Sequence, residues 1–149
     1  NLNLGVRDAG WKLDFAKFRR YLSDTYHVEQ AYLFIGQMAQ NQGLYLYLQR
    51  SGFLLVFKPT QHYYKDGVLT TKGNVDAELV LHAAAKEFGS YDKAVIVSGD
   101  GDFHCLYEYL IEQDKLEKIL VPNKQKYSKL LKKFLPYIDY VSTKRTKLE

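Results

Sequence analysis

Residues 93–102, KAVIVSGDGD, indicate the fold class of this chain of 149 residues. The apolar run inside this stretch predicts a strand over residues 93–98, and the glycines and aspartates after it mark its end. A strand without polar alternation is typical of a parallel sheet that is covered on both faces. Residues 28–35 and 53–58 are similar apolar runs, so the sequence predicts several buried strands.

Segments with helical spacing alternate with these strands. Helices are predicted over residues 14–25, 75–88, 103–114 and 127–135, a helix is favoured over 40–51, and short strands are predicted over 117–121 and 137–141. Asp66-Gly67 predicts a hairpin turn within residues 62–71. Alternating strands and helices indicate an α/β sandwich with a mainly parallel sheet. We expect one domain over residues 1–141 and a basic polar tail over 142–149.

The charges are unevenly distributed along the chain. The whole sequence has a net charge of +4, but residues 121–149 hold eight basic side chains and two acidic ones. A basic end on an acidic body favours a polyanionic partner, although a solvated lysine-rich surface explains the charge equally well. The single cysteine fits a cytoplasmic protein, and no apolar run is long enough to predict a membrane span.

Two carboxylates follow the strand over residues 93–98. Asp100 and Asp102 lie where that strand ends, and ligands of open parallel sheets bind at the carboxyl ends of the strands. Carboxylates this close repel each other unless a cation lies between them, and Mg²⁺ or Mn²⁺ prefers such oxygen ligands. In the alternative interpretation Asp102 only caps the helix that begins at Phe103, and Asp100 braces the turn.

Asp76 is a third acid that we expect at the same edge of the sheet. It lies near the start of the helix predicted over residues 75–88. If this helix leads into the strand over residues 93–98, its amino end lies at the edge of the sheet that carries Asp100. Alternatively, Asp76 is only an acid favoured by the helix dipole. Glu78 shares this turn but is expected to be a surface residue.

Three tyrosines lie next to basic residues. Tyr63, Tyr64 and Tyr127 are candidates for stacking on unpaired bases, although tyrosines more commonly belong to the core or to an interface. Glycine-rich nucleotide-binding loops are absent from the sequence.

Two motifs together resemble the NYN domains of the PIN-like nuclease group, in particular the LabA-like branch. They are Lys72-Gly73-Asn74-Val75-Asp76 and Val95-Ile96-Val97-Ser98-Gly99-Asp100-Gly101-Asp102-Phe103. The order of strands and helices agrees from about residue 13 to residue 140. The resemblance implies a PIN-like three-layer α/β/α sandwich with a mainly parallel central sheet. It also implies an acidic pocket that holds Mg²⁺ or Mn²⁺ and cleaves RNA.

The resemblance also implies roles for individual residues. Asp76, Asp100 and Asp102 are the expected metal ligands and catalytic residues, Ser98 helps to shape the pocket, and Lys72 faces phosphate. Family members open with a strand ending in aspartate, followed three residues later by asparagine and then leucine. Asn1-Leu2 or Asn3-Leu4 takes the place of that pair, so Asn1 is a substrate-binding candidate, and the strand with its aspartate is expected upstream of residue 1.

The leading hypothesis from the sequence is a metal-dependent endoribonuclease. RNA is the expected partner, and basic residues within 124–133 are expected to hold its backbone. A catalytically inactive NYN-like module that binds RNA or protein remains an alternative, and so does a phosphohydrolase of small nucleotides. A homodimer would suit a small nuclease that grips a long substrate.

Overall fold

A computed structural model of the chain describes residues 2–37, 39–72 and 75–149. The α-helices are α1 (Leu2–Asp8), α2 (Phe15–Tyr26), α3 (Gln42–Arg50), α4 (Asp76–Leu81), α5 (His104–Glu112) and α6 (Arg145–Leu148). The strands are β1 (Ala31–Gln37), β2 (Phe53–Pro59), β3 (Gln61–Lys65), β4 (Val68–Lys72), β5 (Ala94–Val97), β6 (Leu116–Val121) and β7 (Ile138–Tyr140). The predicted α/β class is therefore confirmed, and within the described residues no helix is both long and apolar enough to cross a membrane.

The parallel strands lie in two sheets among the described residues, whereas the sequence predicts one central sheet. Strand β1 pairs with β2, and the second sheet has the order β5-β6-β7. Side chains connect the two sheets, because Leu33 and Ile35 of β1 pack against the same apolar cluster as Val95 and Val97 of β5. The core is thus shared even though the hydrogen-bonded ladders are separate.

The predicted hairpin is confirmed as the antiparallel pair β3–β4. Asp66 and Gly67 both have positive φ angles, of 52° and 78°, which is the conformation that a two-residue hairpin turn requires. The hairpin leads along the chain toward α4. It therefore ends close to the helix that carries Asp76.

Helix α2 is also confirmed. The sequence predicts Asp14 as its N-cap and places Phe15, Phe18 and Leu22 on its apolar face. Asp14 accepts a hydrogen bond from the backbone N–H of Lys17 at 3.0 Å, which satisfies a donor in the first turn of the helix. Phe18 and Leu22, one turn apart, are buried in the core. The spacing of the apolar residues therefore identifies the correct face.

The helix predicted over residues 75–88 is interrupted. It continues past α4 as a π-helix over His82–Lys86, where the N–H of Glu87 donates to the carbonyl of His82 at 2.8 Å. The Tyr91 hydroxyl donates to the carbonyl of Ala83 at 2.5 Å, so it occupies the acceptor that Glu87 would use in an α-helix. A tertiary contact thus accompanies the change in helix type.

The helix predicted over residues 127–135 is a 3₁₀-helix over Lys129–Tyr137. It contains Pro136, which has no N–H and disfavours α-helical backbone in the residue before it. The apolar spacing predicts that Leu130, Leu131 and Phe134 face inward. Leu131 and Phe134 are buried, but Leu130 is 60% exposed, so the prediction is wrong for that residue.

Residues 142–149, predicted as a polar tail, pack against the domain. They form a 3₁₀-turn followed by α6, and the side chain of Leu148 is fully buried in the cluster that contains Phe18 and Leu22. The backbone N–H of Asp14 donates to the carbonyl of Leu148 at 2.8 Å. Nζ of Lys17 also donates to the carbonyl of Glu149 at 2.5 Å. This segment therefore differs from a solvated tail, because one buried apolar side chain and two hydrogen bonds attach it to the start of α2.

Candidate metal centre

The three aspartates selected from the sequence lie close together. Asp76 is the first residue of α4, and Asp100 and Asp102 lie on the turn that follows β5. One carboxylate oxygen from each residue lies within 4.8 Å of the other two. Asp76 and Asp100 are half-buried and Asp102 is exposed, so the group faces solvent on one side. This spacing would allow all three to share one cation.

The turn after β5 is held by its own polar groups. Ser98 is 2% exposed, and its backbone N–H donates to the carbonyl of Leu120 at 3.1 Å. Its hydroxyl oxygen accepts the N–H of Asp100 at 3.1 Å. Asp100 in turn accepts the N–H of Asp102 at 2.9 Å through Oδ1 and so caps a 3₁₀-turn over Gly101–Phe103. Asp100 therefore has the capping role that the alternative interpretation gave to Asp102.

A close contact explains why residue 101 is glycine. A Cβ added to Gly101 would lie 2.3 Å from Oγ and 2.9 Å from Cβ of Ser128. The backbone N–H of Ser128 donates to the carbonyl of Gly99 at 3.1 Å. The segment before the last 3₁₀-helix therefore lies directly against the acidic turn.

We expect Gly101→Ala to destabilise the protein by about 2 kcal/mol, because the added methyl group overpacks this contact. Rotation of the Ser128 hydroxyl would relieve the contact at Oγ but not the one at Cβ. Urea unfolding measures the loss. Combining the substitution with Ser128→Gly should recover part of that stability, and two losses that simply add would contradict the proposed contact.

The electrostatics of the group favour protonation of Asp76. Partial burial raises the pKa of its carboxyl above the ordinary range, and the charges of Asp100 and Asp102 raise it further. The native state therefore holds this proton more tightly than the unfolded chain does. It follows that the metal-free protein loses stability as the pH rises through the raised pKa of Asp76.

Asp76→Asn should therefore stabilise the protein in EDTA by about 1 kcal/mol at pH 8, the usual scale for relieving crowded charge. The gain should shrink as the pH falls, because the wild-type carboxyl then becomes protonated. Urea unfolding at several pH values measures it, with Asp24→Asn on the exposed side of α2 as the control. A variant that is less stable than wild type in EDTA would contradict this interpretation.

The remaining site predictions have mixed outcomes. Lys72 is the last residue of β4, and its side chain lies outside what the structure describes, as does the whole of Asn1. Glu78, expected at the surface, is half-buried there and pairs with Lys58 at 3.7 Å. Tyr63 and Tyr64 are exposed on the hairpin.

Sequence reasoning missed a cavity of about 490 Å³ beside Asp100. It lies between α1 and the loop after β6, and Asp8, Asn123 and Lys126 contribute to its wall. One signal was present, since Asn123 follows β6 just as Asp100 follows the neighbouring strand β5. No comparable signal marks Asp8, because α1 is far from this loop in sequence.

Comparisons with known proteins identify the fold and the family of this chain. The chain is 24% identical to a protein of unknown function from Vibrio parahaemolyticus, whose crystal structure matches with a TM-score of 0.71. That match covers 95% of this chain and 86% of the other, and it shows the fold alone. Among curated proteins, none matches significantly. The family model of the NYN domain matches residues 1–139, so the chain belongs to the NYN domain family, a family of the PIN-like nuclease group.

Proposed function

We propose that this protein is a metal-dependent endoribonuclease of the LabA-like branch, built on a PIN-like three-layer α/β/α sandwich. The observation that carries the proposal is the convergence of Asp76, Asp100 and Asp102 in a chain that belongs to the NYN family. Each aspartate comes from the sheet edge at which open α/β folds bind their ligands.

The donor set fits Mg²⁺ or Mn²⁺. All three side chains offer hard carboxylate oxygens, which these ions prefer, and the group includes no thiol. Burial is the larger cause of the raised pKa of Asp76, and the negative charges of Asp100 and Asp102 add a repulsion that a cation would relieve. When bound, such an ion would activate a water molecule for attack on the phosphodiester and would neutralise charge that develops on the phosphoryl oxygens.

The chain's own residues would hold this chemistry in place. Asp100 is fixed because it accepts the N–H of Asp102, and its own N–H is held by the buried Ser98. These bonds orient the carboxylate before any ligand arrives, which lowers the cost of reorganisation during the reaction. We propose that Lys72 faces a phosphate of the substrate, which is the role implied by the resemblance of the motif Lys72-Gly73-Asn74-Val75-Asp76 to that of NYN domains.

Basic residues next to the acidic turn support RNA as the substrate. The contacts of Ser128 with Gly99 and Gly101 bring the loop that carries Lys126, and the start of the helix that carries Lys129, to the edge of the acid group. Lysines placed there would contact the phosphates that flank the cleaved bond. Binding should therefore weaken as salt rises, because counterions compete for the strand.

Cleavage of a single-stranded RNA oligonucleotide in the presence of Mn²⁺ tests the proposal. We expect internal cleavage that EDTA abolishes, with no comparable hydrolysis of mononucleotides. Manganese binding without cleavage, or RNA binding without manganese binding, would instead favour a regulatory module. Hydrolysis of mononucleotides alone would favour a nucleotide phosphohydrolase.

A further inference from the structure

The cavity beside Asp100 is an open cleft with several polar groups in its wall. Its volume is about 490 Å³, which is enough space for part of a nucleotide. Leu4 and Asp8 of α1 form one side, Asn123 and Lys126 form the other, and Asp100 contributes to the wall between them. One carboxylate of the candidate metal centre thus borders the cavity directly.

A weak ion pair lies at this cavity. Nζ of Lys126 is 3.4 Å from Oδ2 of Asp8, and the two side chains are 69% and 55% exposed. Exposed pairs of this kind contribute little stability, so an incoming anion can take the place of Asp8 beside the lysine. Lys126 is therefore available to a ligand that brings a stronger negative charge.

Asn123 adds a buried polar group to the same wall. The residue is 4% exposed, and its Oδ1 accepts the backbone N–H of Gln125 at 2.9 Å. That bond fixes the amide plane, and among the described residues no protein acceptor meets its NH₂ group. The NH₂ group is not among the buried atoms that lack a partner, so it reaches the solvent of the cavity that Asn123 lines, and a ligand oxygen there could accept from it.

The loop that carries these groups is held against the acidic turn. The N–H of Lys126 donates to the carbonyl of Asn123 at 3.1 Å, and the carbonyl of Lys126 lies 3.8 Å from the position of a Cβ built on Gly99. The backbone of this loop therefore keeps a constant position relative to the acidic turn, and the side chain of Lys126 extends from it toward the cavity. A strand that presents one phosphate to the acids would have a neighbouring nucleotide at the cavity.

We propose that this cavity binds the nucleotide next to the cleaved bond of an RNA strand, with its phosphate between Lys126 and the NH₂ group of Asn123. This inference rests on the proposed function, since it takes RNA as the substrate. Asp8 competes with the phosphate for Lys126. It therefore sets how much negative charge a ligand needs in order to bind.

The test is the binding of a fluorescein-labelled single-stranded RNA in EDTA, measured by anisotropy, so that cleavage plays no part. Lys126→Ala should weaken binding about tenfold, the usual value of one hydrogen bond to a charged group. It should also reduce the slope of log Kd against log salt by about one. Asp8→Asn should tighten binding about two- to fivefold because it removes the competing carboxylate.

The pair Lys93–Asp114 is a matched control. It is also exposed, has a similar separation of 3.2 Å, and lies at the opposite end of β5. Lys93→Ala and Asp114→Asn should leave the affinity for RNA unchanged. Equal effects of Lys126→Ala and Lys93→Ala, or weaker binding by Asp8→Asn, would overturn the proposed subsite.

Two further measurements distinguish a failure of the proposed subsite from a failure of the proposed metal centre. AMP should bind far more weakly than the strand, and equal affinities would overturn the assignment to a strand. Wild-type protein that fails to bind RNA would also overturn the subsite. Calorimetry with Mn²⁺ alone reports on the three aspartates independently, so the proposed metal centre can stand when the subsite fails.

Discussion

Asp100→Asn is expected to reduce the single-turnover rate of RNA cleavage by at least about 100-fold while leaving the protein folded. The amide oxygen of asparagine can still accept the N–H of Asp102, so the turn after β5 keeps its cap. The substitution removes only the negative charge and one strong ligand for a cation. It therefore separates the chemistry of this residue from its structural role.

Asp114→Asn is a suitable control for this experiment. Asp114 is exposed, lies at the opposite end of the sheet, and has a positive φ of 54° that asparagine tolerates well. This control should cleave RNA at the wild-type rate and unfold at a similar urea concentration. Equal cleavage rates for Asp100→Asn and the control would eliminate the role proposed for Asp100.

Leu148→Ala is expected to lower the free energy of unfolding by about 3 kcal/mol. Leu148 is fully buried in the cluster that contains Trp11, Phe18 and Leu22, so the truncated side chain leaves a cavity. Urea unfolding followed by tryptophan fluorescence measures the change, since Trp11 belongs to the same cluster. The result bears on whether the last residues are part of the folded domain.

Leu135→Ala removes the same atoms from a leucine that is 52% exposed. Its effect should be below about 1 kcal/mol, because little buried apolar surface is lost. Equal losses in the two variants would contradict the packing described for α6.

Short sequence patterns predict the features that depend only on neighbouring residues in the chain. The cap of α2 follows from one aspartate before an amphipathic stretch, and the hairpin follows from Asp66-Gly67 between apolar flanks. The convergence of the acids is less local. It was still predictable, because parallel strands present their carboxyl ends at one edge and both Asp76 and Asp100 map to that edge.

Other features depend on tertiary contacts that no local pattern contains. The π-helix after α4 accompanies the hydroxyl of Tyr91, and the glycine at position 101 is required by Ser128 from a distant loop. Leu148 is a single apolar residue in a charged segment, which is too little for a periodic pattern. Composition therefore predicted a tail where one buried side chain attaches the segment to the core.

The cavity beside Asp100 was missed for the same reason. Asp8 and Lys126 are separated by most of the chain, although their side chains form an ion pair. Opposite charges so far apart in the sequence do not indicate that two residues are in contact. Asn123 had a usable signal, since it follows a strand at the edge that carries the acids, and Lys126 lies in the basic segment that the sequence predicts to hold RNA. Amides after strands are common in loops, so the position alone did not indicate a ligand.

The most direct test of the central claim is the anomalous scattering of crystals soaked in Mn²⁺. We expect a strong anomalous peak between the carboxylates of Asp76, Asp100 and Asp102, at bonding distance from oxygens of all three. Crystals of Asp100→Asn soaked in the same way should lose most of that peak. Wild-type crystals with no peak at the three aspartates, or with manganese bound only elsewhere, would show that these residues are not the metal centre.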